Sequence, residues 1–277
     1  MANSKPTPSL TLYRGFPSRG RYTPSPFVNK LEARLRIGGL PYRVETGSIF
    51  KAPRGKLPYL DFDREGGSGG GGENDNNTTG SGPEQLADST LIARRLIEEG
   101  YLPDLNAALT PAERARDLAL RALLEDKLYF YQVRERWIDN YYAMRDSVLG
   151  FMPFPVRFVV GLLAYRNVKN TLHGQGVLRF TADEAQALRL EVWESVNAML
   201  LESRNKAREA GRYGPFWALG GAAPTEADAA VFGFVVASLS CKQAPTTKEI
   251  IRSFPVVMEY ARRIHDQYFS DYEHWTE

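Results

Sequence analysis

The sequence predicts an α/β unit followed by an all-helical half. Three observations carry this. The first hundred residues alternate short β-patterned runs with helical ones. A proline, Pro58, opens one of the strand candidates. From Tyr101 onward the apolar spacing is helical and no strand pattern returns.

Leu10 to Phe16 alternates Leu10 and Leu12 against Thr11 and Tyr13, the period of a half-buried strand. Pro17, Ser18, Gly20 and Pro24 make the next loop. Ser25 then supplies an N-cap hydroxyl and Pro26 suits the first helical position, where no N–H is needed. Val28, Leu31 and Leu35 form one apolar stripe, with Lys30, Glu32, Arg34 and Arg36 on the remaining faces. Gly38-Gly39 stop this helix, and Tyr42 to Thr46 is a second strand. A β–α–β opening implies a parallel pair with a right-handed crossover.

The segment Phe50 to Phe62 ends in a strand led by Pro58, which lacks an amide for the ladder and therefore belongs at a strand's first residue. A cis bond there would turn the Leu57 backbone outward, and sequence alone leaves the isomer open. Arg64 to Pro83 is glycine, serine, asparagine and acid, too polar to order itself, and reads as a flexible insertion. Glu84 to Ala87 reads as a short strand, and Asp88-Ser89-Thr90 cap a helix from Leu91 to Glu99.

Thr110-Pro111-Ala112-Glu113 is a helix start with a hydroxyl cap and a carboxylate at the third position, and the helix reaches about Asn140. Helices follow at Pro155 to Val168 and, behind the box Thr181 to Glu184, as far as about Arg204. Thr225 and Asp228 have capping-box spacing before a stretch apolar on nearly all faces, so that helix should be central. A last helix, Thr247 to Phe269, is expected to break near Pro255.

Composition sets limits on function. The chain has 277 residues, 43% of them apolar, enough for one large domain or two smaller ones. A formal charge of +2 offers no basic footprint for nucleic acid. The single cysteine, Cys241, excludes an intrachain disulfide and fits a reducing, cytoplasmic compartment. Met1 to Ser9 lacks the features of a signal or transit peptide. The apolar run Val148 to Ala164 holds Pro153, Pro155 and Arg157, so it reads as a buried or groove-lining helix rather than a membrane span. His173, His265 and His274 stand without cysteine or carboxylate partners at ligand spacing, so no metal site is expected. The glycines between Gly66 and Gly72 do not sit between a strand and a helix, so they are no phosphate loop.

This order of elements resembles the glutathione transferase superfamily: an α/β thioredoxin-like N-terminal domain followed by an all-α C-terminal domain. Ser25-Pro26-Phe27 is similar to the start of that superfamily's first helix, where Ser, Cys or Tyr faces the glutathione sulfur. Gly55-Lys56-Leu57-Pro58 resembles its cis-proline strand motif, and Asp88-Ser89 its acidic-serine pair for the γ-glutamyl end. Thr225-Glu226-Ala227-Asp228 resembles the capping box of its buried helix. The runs Ser25 to Glu32, Gly39 to Tyr42, Lys51 to Tyr59 and Leu86 to Ser89 look closest to the failed-axon-connections and metaxin-like branch. The departure is the insertion before Asp88.

The resemblance implies a thioredoxin-like glutathione-binding domain over 1–100, interrupted at 64–83, and a helical domain over 101–277. It implies glutathione as co-substrate and a small electrophile as partner, and it leaves a homodimer open. Ser25 would be the catalytic residue, donating to the thiolate, with Tyr22 and Arg14 as rival donors. Leu57, ahead of Pro58, would pair with the cysteinyl backbone, and Asp88 and Ser89 would hold the γ-glutamyl end. Lys51, Arg54 or Lys56 would meet the glycyl carboxylate, Lys56 being the one that adjoins Leu57 in the motif. Tyr129, Tyr131, Trp137, Tyr141 and Tyr142 are candidates for the electrophile pocket. The alternatives are a non-catalytic metaxin-like interaction protein, or a glutathione-dependent lyase or isomerase of small-molecule metabolism.

Overall fold

The computed structural model describes residues 6–17, 19–64 and 83–275. The stretch read as a flexible insertion, Arg64 to Pro83, lies outside the described residues except at its two ends.

Strands β1 (Ser9–Tyr13), β2 (Arg43–Glu45), β3 (Tyr59–Asp63) and β4 (Glu84–Ala87) form one sheet in the order β2-β1-β3-β4. Helix α1 (Pro26–Ile37) joins β1 to β2, and these two strands pair in parallel with Leu12 opposite Val44. β3 runs antiparallel to both β1 and β4. The expected alternation holds: Leu10 and Leu12 pack with Leu60, Phe62, Leu31 and Leu35 against α1 and α2 (Ser89–Glu98). Strand β1 stops at Tyr13, short of the predicted Phe16. Gly15 follows in the left-handed region at φ 77°, where a Cβ would fall 2.0 Å from Leu57 Cδ1.

The helical remainder begins with α3 (Pro111–Ala122), capped by the Thr110–Glu113 box as its sequence requires. The predicted continuous helix to Asn140 is continuous in path but not in winding. It passes through a π-helical turn at Leu123–Leu128, α4 (Tyr129–Arg134) and a second π-helical turn at Glu135–Asp139. There follow α5 (Tyr141–Leu149), α6 (Phe154–Gln175), α7 (Ala182–Glu209), α8 (Glu226–Ser240), α9 (Pro245–Arg252) and α10 (Pro255–Tyr268). α6 outruns its predicted end at Val168 and stops where Gly176 takes φ 95°. The break between α9 and α10 falls at the predicted proline.

The largely apolar α8 is central, with every residue from Ala227 to Leu239 buried. It packs most extensively on α1, where Gly233 lets the two backbones meet. This overturns the reading of α1 as a one-stripe helix. Lys30, Glu32 and Arg34 are buried rather than solvated, because α8 covers the face opposite the sheet. Each finds a partner, as burial demands. Lys30 pairs with Glu125 at 2.6 Å, Arg34 with Glu226 at 2.6 Å and Glu32 with Arg14 at 3.3 Å. The run Val148 to Ala164 is corrected in the other sense: Phe151, Phe154, Phe158 and Leu163 are exposed. Among the described residues, no helix is long and apolar enough to cross a membrane.

Candidate functional site

Strand register brings three predicted motifs to one end of the sheet. Tyr13 lies opposite Tyr59, and Tyr59 opposite Ala87. The loop to α1, the Pro58 start of β3 and the Asp88 cap of α2 therefore leave neighbouring strands side by side, within about 10 Å for two strand spacings. Lys30 adds a direct tie, donating from Nζ to Thr90 Oγ1 at 2.8 Å. The N-termini of α1 and α2 consequently share one region, and both favour negative charge.

Ser25 is half-buried and caps α1. Its Oγ accepts from the Val28 amide at 3.5 Å, a long contact, and among the described residues its hydroxyl proton has no acceptor. The loop holding it is fixed from two sides. Asn29 Nδ2 donates to the Thr23 carbonyl at 2.8 Å, and Asn29 Oδ1 accepts from the Thr23 amide at 3.0 Å. Arg136, from the second π-helical turn, donates to the Pro24 carbonyl at 2.9 Å. Phe27 packs edge-on against Tyr129 and Phe234, with ring centroids 5.0 Å and 6.0 Å away.

The Leu57–Pro58 peptide is cis. Leu57 is half-buried with its side chain against Gly15, while Lys51, Arg54 and Lys56 are exposed on the loop leading to it. Asp88 is exposed and has φ 78°, a conformation rare for a residue with a side chain. Its Oδ1 accepts from the Thr90 and Leu91 amides at 3.0 and 3.2 Å, and Ser89 beside it is buried. A recess of about 530 Å³ opens on the sheet face away from α1, lined by Tyr13, Ser48, Lys51, Tyr59 and Gln85. A second, of about 700 Å³, runs along β2 beside Arg36, Arg43 and Tyr268. Ser25 and Asp88 line neither of them.

The rival donors are engaged elsewhere. Tyr22 is buried in an aromatic cage and bonds His265 Nδ1 at 2.7 Å, with burial holding its phenol well above the usual range. Arg14 faces Glu32 and donates to the Arg21 carbonyl. Of the tyrosines proposed for an electrophile pocket, Tyr131 is buried in a cluster with Leu172 and Val177, while Tyr142 is exposed. The histidines are not all isolated. His265, Asp266 and His274 place their ligand-type atoms within 4.8 Å of one another. Nδ1 of His265 is already bonded to Tyr22, and the two imidazoles lie tilted against each other with centroids 3.7 Å apart, so no metal role is assigned.

Lys30 and Arg136 are the site-building residues that the sequence did not reveal. Lys30 looks like a surface lysine until α8 is placed, and Arg136 has no local signal because its partner lies on a remote loop.

Residues 26–144 match the family described as Glutathione S-transferase N-terminal domain. Among solved structures, the chain is similar to glutathione transferase GSTFuA3 from Phanerochaete chrysosporium, at 15% identity and a TM-score of 0.54 over 97% of this chain and 99% of that one. It is similar to the beta-etherase LigF from Sphingobium sp. strain SYK-6, at 13% identity and a TM-score of 0.55 over 93% and 95% of the two chains. It also resembles FzlA from C. crescentus, at 17% identity and a TM-score of 0.54 over 94% and 90%. Identities this low speak for the fold. The architecture is that of a glutathione transferase: a thioredoxin-like mixed sheet followed by a helical region. The domain match relates residues 26–144 to that family, and the neighbours add a likeness of fold over nearly the whole chain.

Proposed function

We propose that the chain is a glutathione-dependent transferase that adds the glutathione thiolate to a small electrophile, with Ser25 stabilising the thiolate. The observation that carries this reading is that the loop leading to the Ser25 cap, the Leu57–Pro58 strand start and the Asp88 cap all lie at the same end of neighbouring strands. The organisation that goes with it is a glutathione-binding domain over 1–100 and a helical domain over 101–277. Support comes from the two main apolar clusters, one around Leu12 and Phe62, the other around Trp193 and Phe234.

A thiol of pKa about 8.5 is only slightly ionised at neutral pH. The Ser25 hydroxyl has a proton to give, and the α1 N-terminus adds a positive potential, so both favour the anion. Leu57 N–H and C=O would pair with the cysteinyl backbone in strand fashion. Asp88 would take the γ-glutamyl ammonium, with Ser89 at the positive start of α2 holding its carboxylate. Lys56, or its neighbours Lys51 and Arg54, would meet the glycyl carboxylate. A lyase or isomerase would use the same thiolate and release it again. Detoxification in the cytoplasm is the role this chemistry suggests.

Glutathione at one hundred times its Kd should raise stability by about 2.7 kcal/mol, read as a thermal shift. Ser25→Ala should lower conjugation of a chloronitrobenzene by about 10²-fold and raise the pH at which rate develops. Absence of a glutathione-dependent shift in the wild-type chain would sink the reading. A shift with unaltered turnover in Ser25→Ala would remove Ser25 alone.

A second reading, a non-catalytic interaction protein of the metaxin-like kind, is favoured by one observation: the exposed apolar side chains of α6 and the turn before it.

A further inference from the structure

We propose that the N-terminal half of α6, with the turn before it, seats on a lipid surface bearing anionic headgroups. This names a partner for the interaction reading above, and it holds whether or not Ser25 is used.

The distribution of side chains around α6 is reversed from that of an ordinary surface helix. Phe154, Phe158 and Leu162 recur at four-residue spacing and are exposed, and Val159 and Leu163 form an exposed strip beside them. At about 100° per residue these strips span roughly half the helix circumference over three turns. Phe151, in the preceding turn, is 80% exposed and extends the same surface. The charge within this stretch turns the other way: Arg157 is half-buried, with Nε 3.9 Å from Asp146 of α5. Gly161 packs on α5, where a Cβ would fall 2.9 Å from the Tyr141 hydroxyl. The helix therefore has a defined inner face, and its apolar outer face is not an unformed remnant. Soluble proteins rarely leave so continuous an apolar face in water.

Charge selects the occupant. Between Tyr141 and Gln175 the only acid is Asp146, against Arg145, Arg157, Arg166 and Lys169. Asp146 already faces Arg145 and Arg157. Arg166 and Lys169 are exposed on the same side of α6 as Phe158 and Leu162, beginning one turn further along. A helix held at a membrane interface needs both kinds of group: apolar side chains buried about 5–10 Å at the acyl boundary, and cations near enough to meet lipid phosphates. The exposed apolar surface runs into a turn that contains Pro153 and the exposed Phe151, a side chain large enough to enter between headgroups. No described helix is long and apolar enough to cross, so the contact is peripheral.

The test is flotation of the full chain with vesicles of phosphatidylcholine alone and of phosphatidylcholine with about one third phosphatidylserine. The expected result is recovery with the anionic vesicles, lowered about tenfold or more by Phe154→Asp with Phe158→Asp. Arg166→Glu with Lys169→Glu should lower it comparably on anionic vesicles only. All four positions are exposed, so circular dichroism and melting temperature should stay at wild-type values. Failure to float overturns the proposal, as does flotation indifferent to the phenylalanine changes. Light scattering covers the rival occupant: a wild-type dimer that the same changes dissociate, without vesicle binding, would assign the face to a second copy. Glutathione thermal shifts on the same variants read the other site separately.

Discussion

At the scale of single residues, the site depends on what each polar group is already committed to. Ser25 accepts one long bond from its own helix and keeps its proton, so capping and donation to a bound sulfur are compatible. Asp88 holds a backbone conformation that costs about 1–3 kcal/mol, offset in part by the two amides its carboxylate accepts. Asp228 shows the opposite use of a carboxylate, as structure. Its oxygens accept from the Ala218 and Thr225 amides at 2.7 and 2.8 Å and from the Tyr260 hydroxyl at 2.9 Å. Burial nonetheless pushes its pKa from 3.8 up to about 6. A carboxyl with a raised folded-state pKa binds protons more tightly in the folded chain. Its contribution is therefore fully present below about pH 4 and is lost as pH rises through about 6. Urea unfolding of wild type and Asp228→Asn across this window should show that slope in the wild type and not in the variant. At neutral pH the variant should also lose about 1–3 kcal/mol, since an amide nitrogen would face a donor. Equal slopes in the two chains would count against a raised Asp228.

At the scale of elements, α1 is the piece on which the rest is assembled. It packs on the sheet through Leu31 and Leu35 and on α8 through a close backbone contact. A Cβ on Gly233 would stand 2.7 Å from both the Lys30 amide nitrogen and the Pro26 carbonyl, and neither backbone atom can swing away. Gly233→Val should therefore separate α1 from α8 and cost about 1–3 kcal/mol in chemical unfolding, with Gly233→Ala affected less. Because Pro26 adjoins Ser25, the same variant should weaken any glutathione thermal shift. Full retention of stability would show that α8 can slide. The two π-helical turns fit the same logic. Each rotates its helix so that a side chain meets the first-helix region, Glu125 at Lys30 and Arg136 at Pro24.

At the scale of the molecule, the chain is closed by the segment after α10 returning to the β1–α1 loop. The Glu273 amide donates to the Gly20 carbonyl at 2.8 Å, and the Tyr272 hydroxyl to Glu32 at 2.6 Å. Arg36 joins α1 to this segment, donating to the Tyr268 carbonyl at 2.8 Å, to Asp271 Oδ2 at 2.9 Å and to the Tyr42 hydroxyl at 2.9 Å. Asp271 is largely exposed, so its ion pair adds little, and the half-buried bonds to Tyr268 and Tyr42 carry most of the effect. Arg36→Ala should cost about 1–2 kcal/mol and speed proteolysis between Phe269 and Trp275. Unaltered cleavage there would mean that the Tyr22 aromatic cage holds the segment unaided.

Apart from α5 and the two π-helical turns, which carry no local signal, element type and order were determined by the sequence alone, because they follow from local chemistry: a two-residue alternation in Leu10 to Tyr13, hydroxyl caps at Ser25, Thr110 and Thr181, a proline at 255 that ends one helix and starts another. The run after Thr225, apolar on nearly all faces, likewise dictated a buried helix wherever it was placed. Tertiary structure decided the rest, since each remaining question concerns groups far apart in the chain. It fixed the cis isomer at Pro58, which one sequence permits both ways. It buried the charges of α1, whose local pattern is that of a solvated face, by laying α8 across them. It withdrew Tyr22 and Arg14 from contention by giving them His265 and Glu32 as partners. It exposed the apolar half of α6, which composition alone would have buried, because the inner side of that helix is already occupied through Gly161. Local propensity chooses helices and strands, whereas the neighbours of each helix face are set only when distant segments pack.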